Sequence, residues 1–103
     1  MEKITLYIGL NDKDSKTQKI DTYEAIKIIY NLLLAHGIDG ATMYNATGIY
    51  KHDNGHVVIE NTIRCELINP AINSLTGAII SIKSALNQET IIKQIETITS
   101  DFI

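Results

Sequence analysis

Residues 46–67 read ATGIYKHDNGHVVIENTIRCEL, and the fold turns on how this stretch pairs. At its centre Asp53-Asn54-Gly55 is a hairpin signal, because asparagine and glycine accept the positive φ that tight turns between strands demand. The flanks alternate apolar and polar, the period of a half-buried strand. The stretch therefore reads as two antiparallel strands, 41–50 and 57–68, joined by the loop 51–56. On the second strand the alternation sends Ile59, Ile63, Cys65 and Leu67 to one face. Val58, Glu60, Thr62, Arg64 and Glu66 fall on the other. Two carboxylates and a guanidinium on one side of a strand mark that side as uncovered.

Upstream, Ile4, Leu6, Ile8 and Leu10 alternate with Thr5, Tyr7, Gly9 and Asn11, which predicts a first strand, and the polar run 11–19 is a loop. Asp21 with Glu24 three residues on has the form of a capping box, followed by Ile26, Ile29, Tyr30 and Leu33 at helical spacing and Gly37 as the stop. Downstream, Asn69-Pro70 marks a turn or a helix start, Leu75, Ile79, Ile82 and Leu86 carry a second helix, and Asn87-Gln88 closes it. The stretch 89–99 has isoleucines at 91, 92, 95 and 98 that would also suit a helix, but its β-branched residues favour a strand. The order β-α-β-β-α-β predicts an α+β, ferredoxin-like domain over 1–103, a four-stranded antiparallel sheet with both helices on one face. Tyr7, Thr42 and Tyr44 then join Glu60 and Arg64 on the open face. Tyrosines there suit an interface, since the ring packs while the hydroxyl stays hydrogen-bonded. The chain is expected to self-associate.

The 103 residues fit one domain, and a composition 45% hydrophobic and 20% charged is that of a globular chain. A net charge of −3 without a basic run speaks against nucleic acid as a partner, and no apolar stretch is long enough for a membrane span. A single cysteine, Cys65, excludes an internal disulfide and, with no signal sequence after Met1, points to the cytoplasm.

No phosphate-binding loop, dinucleotide fingerprint, nucleophile elbow or C-x-x-C is present. His52 and His56 flank the hairpin turn without a third ligand in register, so no metal is expected. Cys65 alternates with core residues and reads as a small buried hydrophobe. Glu60 is the strongest candidate. It is either a solvated carboxylate paired with Arg64, or the anionic side of a cleft in which tyrosines face a cationic ligand.

At these residues a resemblance emerges. The runs GATMYNATGIYKHDNGHVVIENTIRCEL (40–67) and LNQETIIKQIE (86–96) resemble the bacteriophage S-adenosylmethionine (SAM) lyases, formerly called SAM hydrolases, which are small PII-like trimers. The matching features are T-G-x-Y ending one strand, a short loop, a glutamate shortly before threonine, and R-C after it. The opening L-Y-x-G-L (6–10) also resembles uncharacterised bacterial PII-like proteins. The resemblance implies cleavage of SAM to methylthioadenosine and homoserine lactone, with no cofactor, in a homotrimer whose sites lie between subunits, in a host cytoplasm if the chain is phage-encoded. It implies catalytic roles for Glu60, binding the substrate ammonium, and Tyr50, contacting the sulfonium or hydrogen-bonding in the cleft. Tyr44, Arg64 and Gln88 are the implied substrate-binding residues, Gln88 near the adenine. The rival readings are a PII-like protein that binds a nucleotide without cleaving it, and a purely assembling sheet face.

Overall fold

The structure is a computed structural model describing residues 1–103. Its elements are β1 (Glu2–Gly9), α1 (Thr22–Ala35), β2 (Thr42–Lys51), β3 (Val57–Ile68), α2 (Ile72–Ala85) and β4 (Ile92–Thr97). The strands form one antiparallel sheet in the order β2-β3-β1-β4. This is the ferredoxin-like, PII-like α+β arrangement, and the ambiguous last stretch is a strand.

The core lies between sheet and helices. Ile4, Leu6 and Ile8 of β1 and Ile63, Cys65 and Leu67 of β3 meet Ala25, Ile29 and Leu33 of α1 and Leu75, Ala78 and Ile82 of α2. On α2 it is Ala78 that is fully buried, with Ile79 only packed alongside, because a small residue lets the helix approach the sheet closely. Burial pushes the Cys65 thiol up to about 12, so it is an inert core group.

Asp21 caps α1 by accepting the N–H groups of Tyr23 (3.0 Å) and Glu24 (3.4 Å). The reciprocal half of the capping box is not formed, for the Glu24 carboxylate turns outward to Lys27 at 3.3 Å. Both helices end in the same double turn. After α1, Gly37 (φ 80°) and Ile38 donate back to Leu34 and Leu33. After α2, Asn87 (φ 48°) and Gln88 donate back to Ser84 and Lys83. Asparagine in the glycine's place leaves a side chain free for other work.

The expectation that Ile59 points into covered space is corrected. Cross-strand pairing does place Ile59 and Ile49 opposite each other on the helix side, but the β2–β3 hairpin runs past the end of both helices. Ile59 is 66% and Ile49 67% exposed, and Val57 beside them is exposed as well. Alternation names the face of a strand, not how far its neighbours extend along it. The molecule is elongated, 46 × 25 × 22 Å.

Candidate functional site

On the open face the register brings Gly48 opposite Glu60 and Gly9 opposite Thr62. Two glycines beside the same stretch of β3 leave a trough in the sheet surface. A Cβ at Gly48 would stand 2.7 Å from Thr62 Oγ1, and one at Gly9 would stand 2.7 Å from Glu60 Cδ and 2.8 Å from Oε2. The Glu60 side chain thus lies over Gly9, in the space a β-carbon would take. It reaches past the end of β1, where the Asn11 N–H donates to Glu60 Oε2 at 2.9 Å. Oε1 has no protein partner.

Around this carboxylate opens a cleft of about 600 Å³, within the range of small-molecule sites. Its walls include Tyr50 from β2, Lys13 and Lys16 from the loop after β1, and Gln88 and Glu89 from the turn after α2. Partial burial of the Tyr50 hydroxyl, and then the Glu60 and Glu89 carboxylates, raise its pKa, so the phenol keeps its proton. The Tyr50 ring is steadied edge-on by His52, with centroids 5.3 Å apart. A carboxylate with one free oxygen, a second carboxylate and a protonated tyrosine make this end of the cleft suited to a cation.

The loop after β1, which also lines the cleft, is held largely by the Asp12 side chain. Asp12 Oδ2 accepts the N–H groups of Asp14 (3.0 Å) and Ser15 (2.9 Å), while Oδ1 accepts Asn87 Nδ2 at 2.8 Å. Asn87 Nδ2 also donates to Asp14 at 2.9 Å. These donors, the Ser15 N–H foremost, hold the Asp12 carboxyl down at about 2, against an ordinary 3.8. Because the unfolded chain takes up that proton more readily, the stability Asp12 supplies is complete above pH about 4 and is lost as the pH falls toward 2. Asp12→Asn is therefore expected to lower the thermal midpoint by several degrees at pH 6 and by almost nothing at pH 2. A deficit that persists undiminished at pH 2, read by circular dichroism, would rule out the charge as its source.

Of the five residues singled out in the sequence, Glu60, Tyr50 and Gln88 line this one cleft. Tyr44 and Arg64 do not. Arg64 was expected beside Glu60, but its guanidinium pairs with Glu66 at 2.9 Å and lies between the rings of Tyr7 (5.8 Å) and Tyr44 (5.6 Å). Glu66 also takes Lys3 Nζ at 3.0 Å and the Tyr44 hydroxyl at 3.2 Å. The Lys3 bond is the main reason its carboxyl is held below the usual range. The physical reason is direction along the strand: the sheet ends near Glu60, whereas β1 and β2 flank Arg64 and Glu66 with a lysine and two tyrosines. Sequence reasoning missed Asn11, Asp12 and Glu89. Glu89 follows Gln88 directly, and the Asp12-x-x-Ser15 spacing is a loop-capping signal.

No three of the histidine, cysteine, aspartate and glutamate side chains come together in a metal-binding group, and no helix is long and apolar enough to cross a membrane.

No family model matches the chain, and no curated protein matches it in sequence. Among solved structures, a phage SAM lyase in complex with S-methyl-5'-thioadenosine is similar with a TM-score of 0.69 and 21% identity, covering 92% of this chain and 79% of that one. A phage SAM lyase in the apo state gives the same score and identity over 92% and 78%. The divalent ion tolerance protein CutA1 from Ehrlichia chaffeensis follows at 0.56 and 20% identity over 96% and 83%. A DUF3240 family protein from Shewanella baltica matches at 0.56 and 10% identity over 99% and 94%. At these identities what is shared is the fold.

Proposed function

We propose that the protein is a SAM lyase, cleaving SAM to methylthioadenosine and homoserine lactone. The observation that carries this reading is the Glu60 carboxylate, anchored through Oε2 and free at Oε1, at the floor of a cleft with a protonated Tyr50. The fold likeness to the phage lyases supports it.

In the proposed reaction the substrate's own carboxylate oxygen attacks the carbon joined to the sulfonium. The new carbon–oxygen bond closes the lactone as the carbon–sulfur bond breaks, and the electron pair leaves on a neutral thioether. Nucleophile and leaving group belong to one molecule, so the protein has to hold it bent and exclude water from the attacking oxygen. Glu60 Oε1 binds the substrate ammonium by a charge-assisted hydrogen bond, which aims the carboxylate. The Tyr50 ring lies against the sulfonium, where a π-face attracts a cation. Gln88 gives both its amide hydrogens to main-chain oxygens and so stands behind Glu60 rather than against the adenine, and Tyr44 and Arg64 act only at a distance, by shaping the sheet face.

A homotrimer completes the reading, with sites between subunits. The exposed Ile49, Val57 and Ile59 of the ribbon and the tyrosines of the open face supply contact surface. The working place is a cytoplasm, phage-infected if the gene is a phage's.

Incubation with SAM is expected to release methylthioadenosine, detected by chromatography. Turnover is expected to be unchanged by EDTA, because a displacement with a neutral leaving group needs no Lewis acid. Intact SAM retained without methylthioadenosine would favour a nucleotide-binding protein over an enzyme. Activity lost in EDTA and restored by zinc or magnesium would overturn the metal-free displacement.

A further inference from the structure

We propose, building on the lyase reading, that Gln88 is a positioning residue that fixes the Glu60 carboxylate through the main chain of Asn11. Asn11 stands just past the end of β1. Its N–H is given to Glu60 Oε2 at 2.9 Å, and its carbonyl receives Gln88 Nε2 at 2.9 Å. The second Nε2 hydrogen goes to the Leu86 carbonyl at 3.1 Å. Both hydrogens of the Gln88 amide are thus engaged by main-chain oxygens, in a side chain only 8% exposed.

The anchor behind Gln88 is rigid. The double turn that ends α2 puts Asn87 at φ 48° and ties the Gln88 N–H to the Lys83 carbonyl at 2.9 Å. From there the order runs from helix end to Gln88, to Asn11, to Glu60. Asn87 holds the next residues of the same loop, through Asp12 and Asp14. A loop with one carbonyl unbound would let Asn11 drift, and the carboxylate it holds would drift with it. A displacement of about an ångström at a positioning group can cost about a hundredfold in rate. An amide with no hydrogen left for a ligand acts on Glu60 rather than on the substrate's base.

The test uses the full-length protein and two variants. Gln88→Met keeps the length of the side chain and removes its N–H groups, and Gln88→Ala removes the side chain. In wild type the Asn11 amide proton resonance is expected to follow the ionisation of Glu60, and Glu60→Gln to abolish that dependence. In Gln88→Met the pH-dependent shift of Asn11 is expected to fall by at least half. Turnover of SAM is expected to fall about tenfold in kcat with KM within about twofold. The double variant with Glu60→Gln is expected to be within about twofold of Glu60→Gln alone, since residues acting as a unit are not additive. An Asn11 resonance that titrates in Gln88→Met as in wild type, or never follows Glu60, overturns the proposal. So do multiplicative losses in the double variant, which would mean that Gln88 meets the substrate itself. If the wild type does not cleave SAM, the lyase reading fails, and the Asn11 titration alone decides the positioning role. If Gln88→Ala does not fold, Gln88→Met decides.

Discussion

Gly9→Ala is expected to cut kcat/KM for SAM by about a hundredfold without unfolding the protein, although it adds a single methyl group and removes no charge. The new carbon would lie within van der Waals exclusion of Glu60 Cδ and Oε2, at 2.7 and 2.8 Å. Those atoms are the free end of a flexible side chain, so the clash is relieved by swinging the carboxylate away rather than by moving backbone. The motion breaks the bond from the Asn11 N–H, and the misplacement of a positioning group by about an ångström sets the size of the loss. Stability is expected to hold or rise slightly, because alanine loses less backbone entropy than glycine on entering a strand. Steady-state kinetics beside a thermal melt checks both halves. A folded Gly9→Ala enzyme with activity within about twofold of wild type would mean that the seat of Glu60 over Gly9 is irrelevant to function.

Glu60→Gln removes the charge instead of the position. Turnover is expected to fall at least about tenfold, equivalent to roughly 1.4 kcal/mol of transition-state stabilisation, because a neutral amide cannot hold the substrate ammonium as a carboxylate does. The isosteric replacement keeps its shape on a half-buried strand face, so the melt is expected to change little. Glu66 does not serve as the matched control: its carboxylate gathers Lys3, Arg64 and Tyr44, and neutralising it would disturb the sheet face itself. Glu24, exposed on α1 with only Lys27 beside it, is the better comparison. Wild-type turnover in Glu60→Gln would reduce Glu60 to a solvated strand residue.

Much of the fold was legible because each element announces its own period. The hairpin 46–67, the asparagine and glycine stops and the β-branched last strand each carry a local signal that the tertiary structure respects. What alternation cannot convey is extent, and so Ile49 and Ile59 stand exposed despite being on the helix side. The candidate cleft was legible where strand parity puts Glu60 on the open face of the hairpin, while Tyr50 entered only through the resemblance. It was illegible where it depends on residues that only folding brings together. Nothing near Asn11 in the chain points to Glu60, 49 residues away. Nor does Arg64 reveal from its position that Glu66, two residues on, will outcompete Glu60, four residues back. That choice is made by Lys3 and Tyr44, which arrive on neighbouring strands.

The ribbon that runs beyond the helices has a thermodynamic consequence for any ligand of the cleft. Glu60 stands where the supported sheet ends, and Tyr50, paired with Val58, stands out on the two-stranded part. A two-stranded ribbon without a packed face is only marginally ordered on its own. In a lone protomer a molecule that touches both residues would spend part of its interaction free energy on ordering the ribbon, whereas in the proposed trimer the neighbouring subunit would meet that cost beforehand. Affinity at this site is set by how freely the ribbon moves beforehand as well as by the groups the molecule meets.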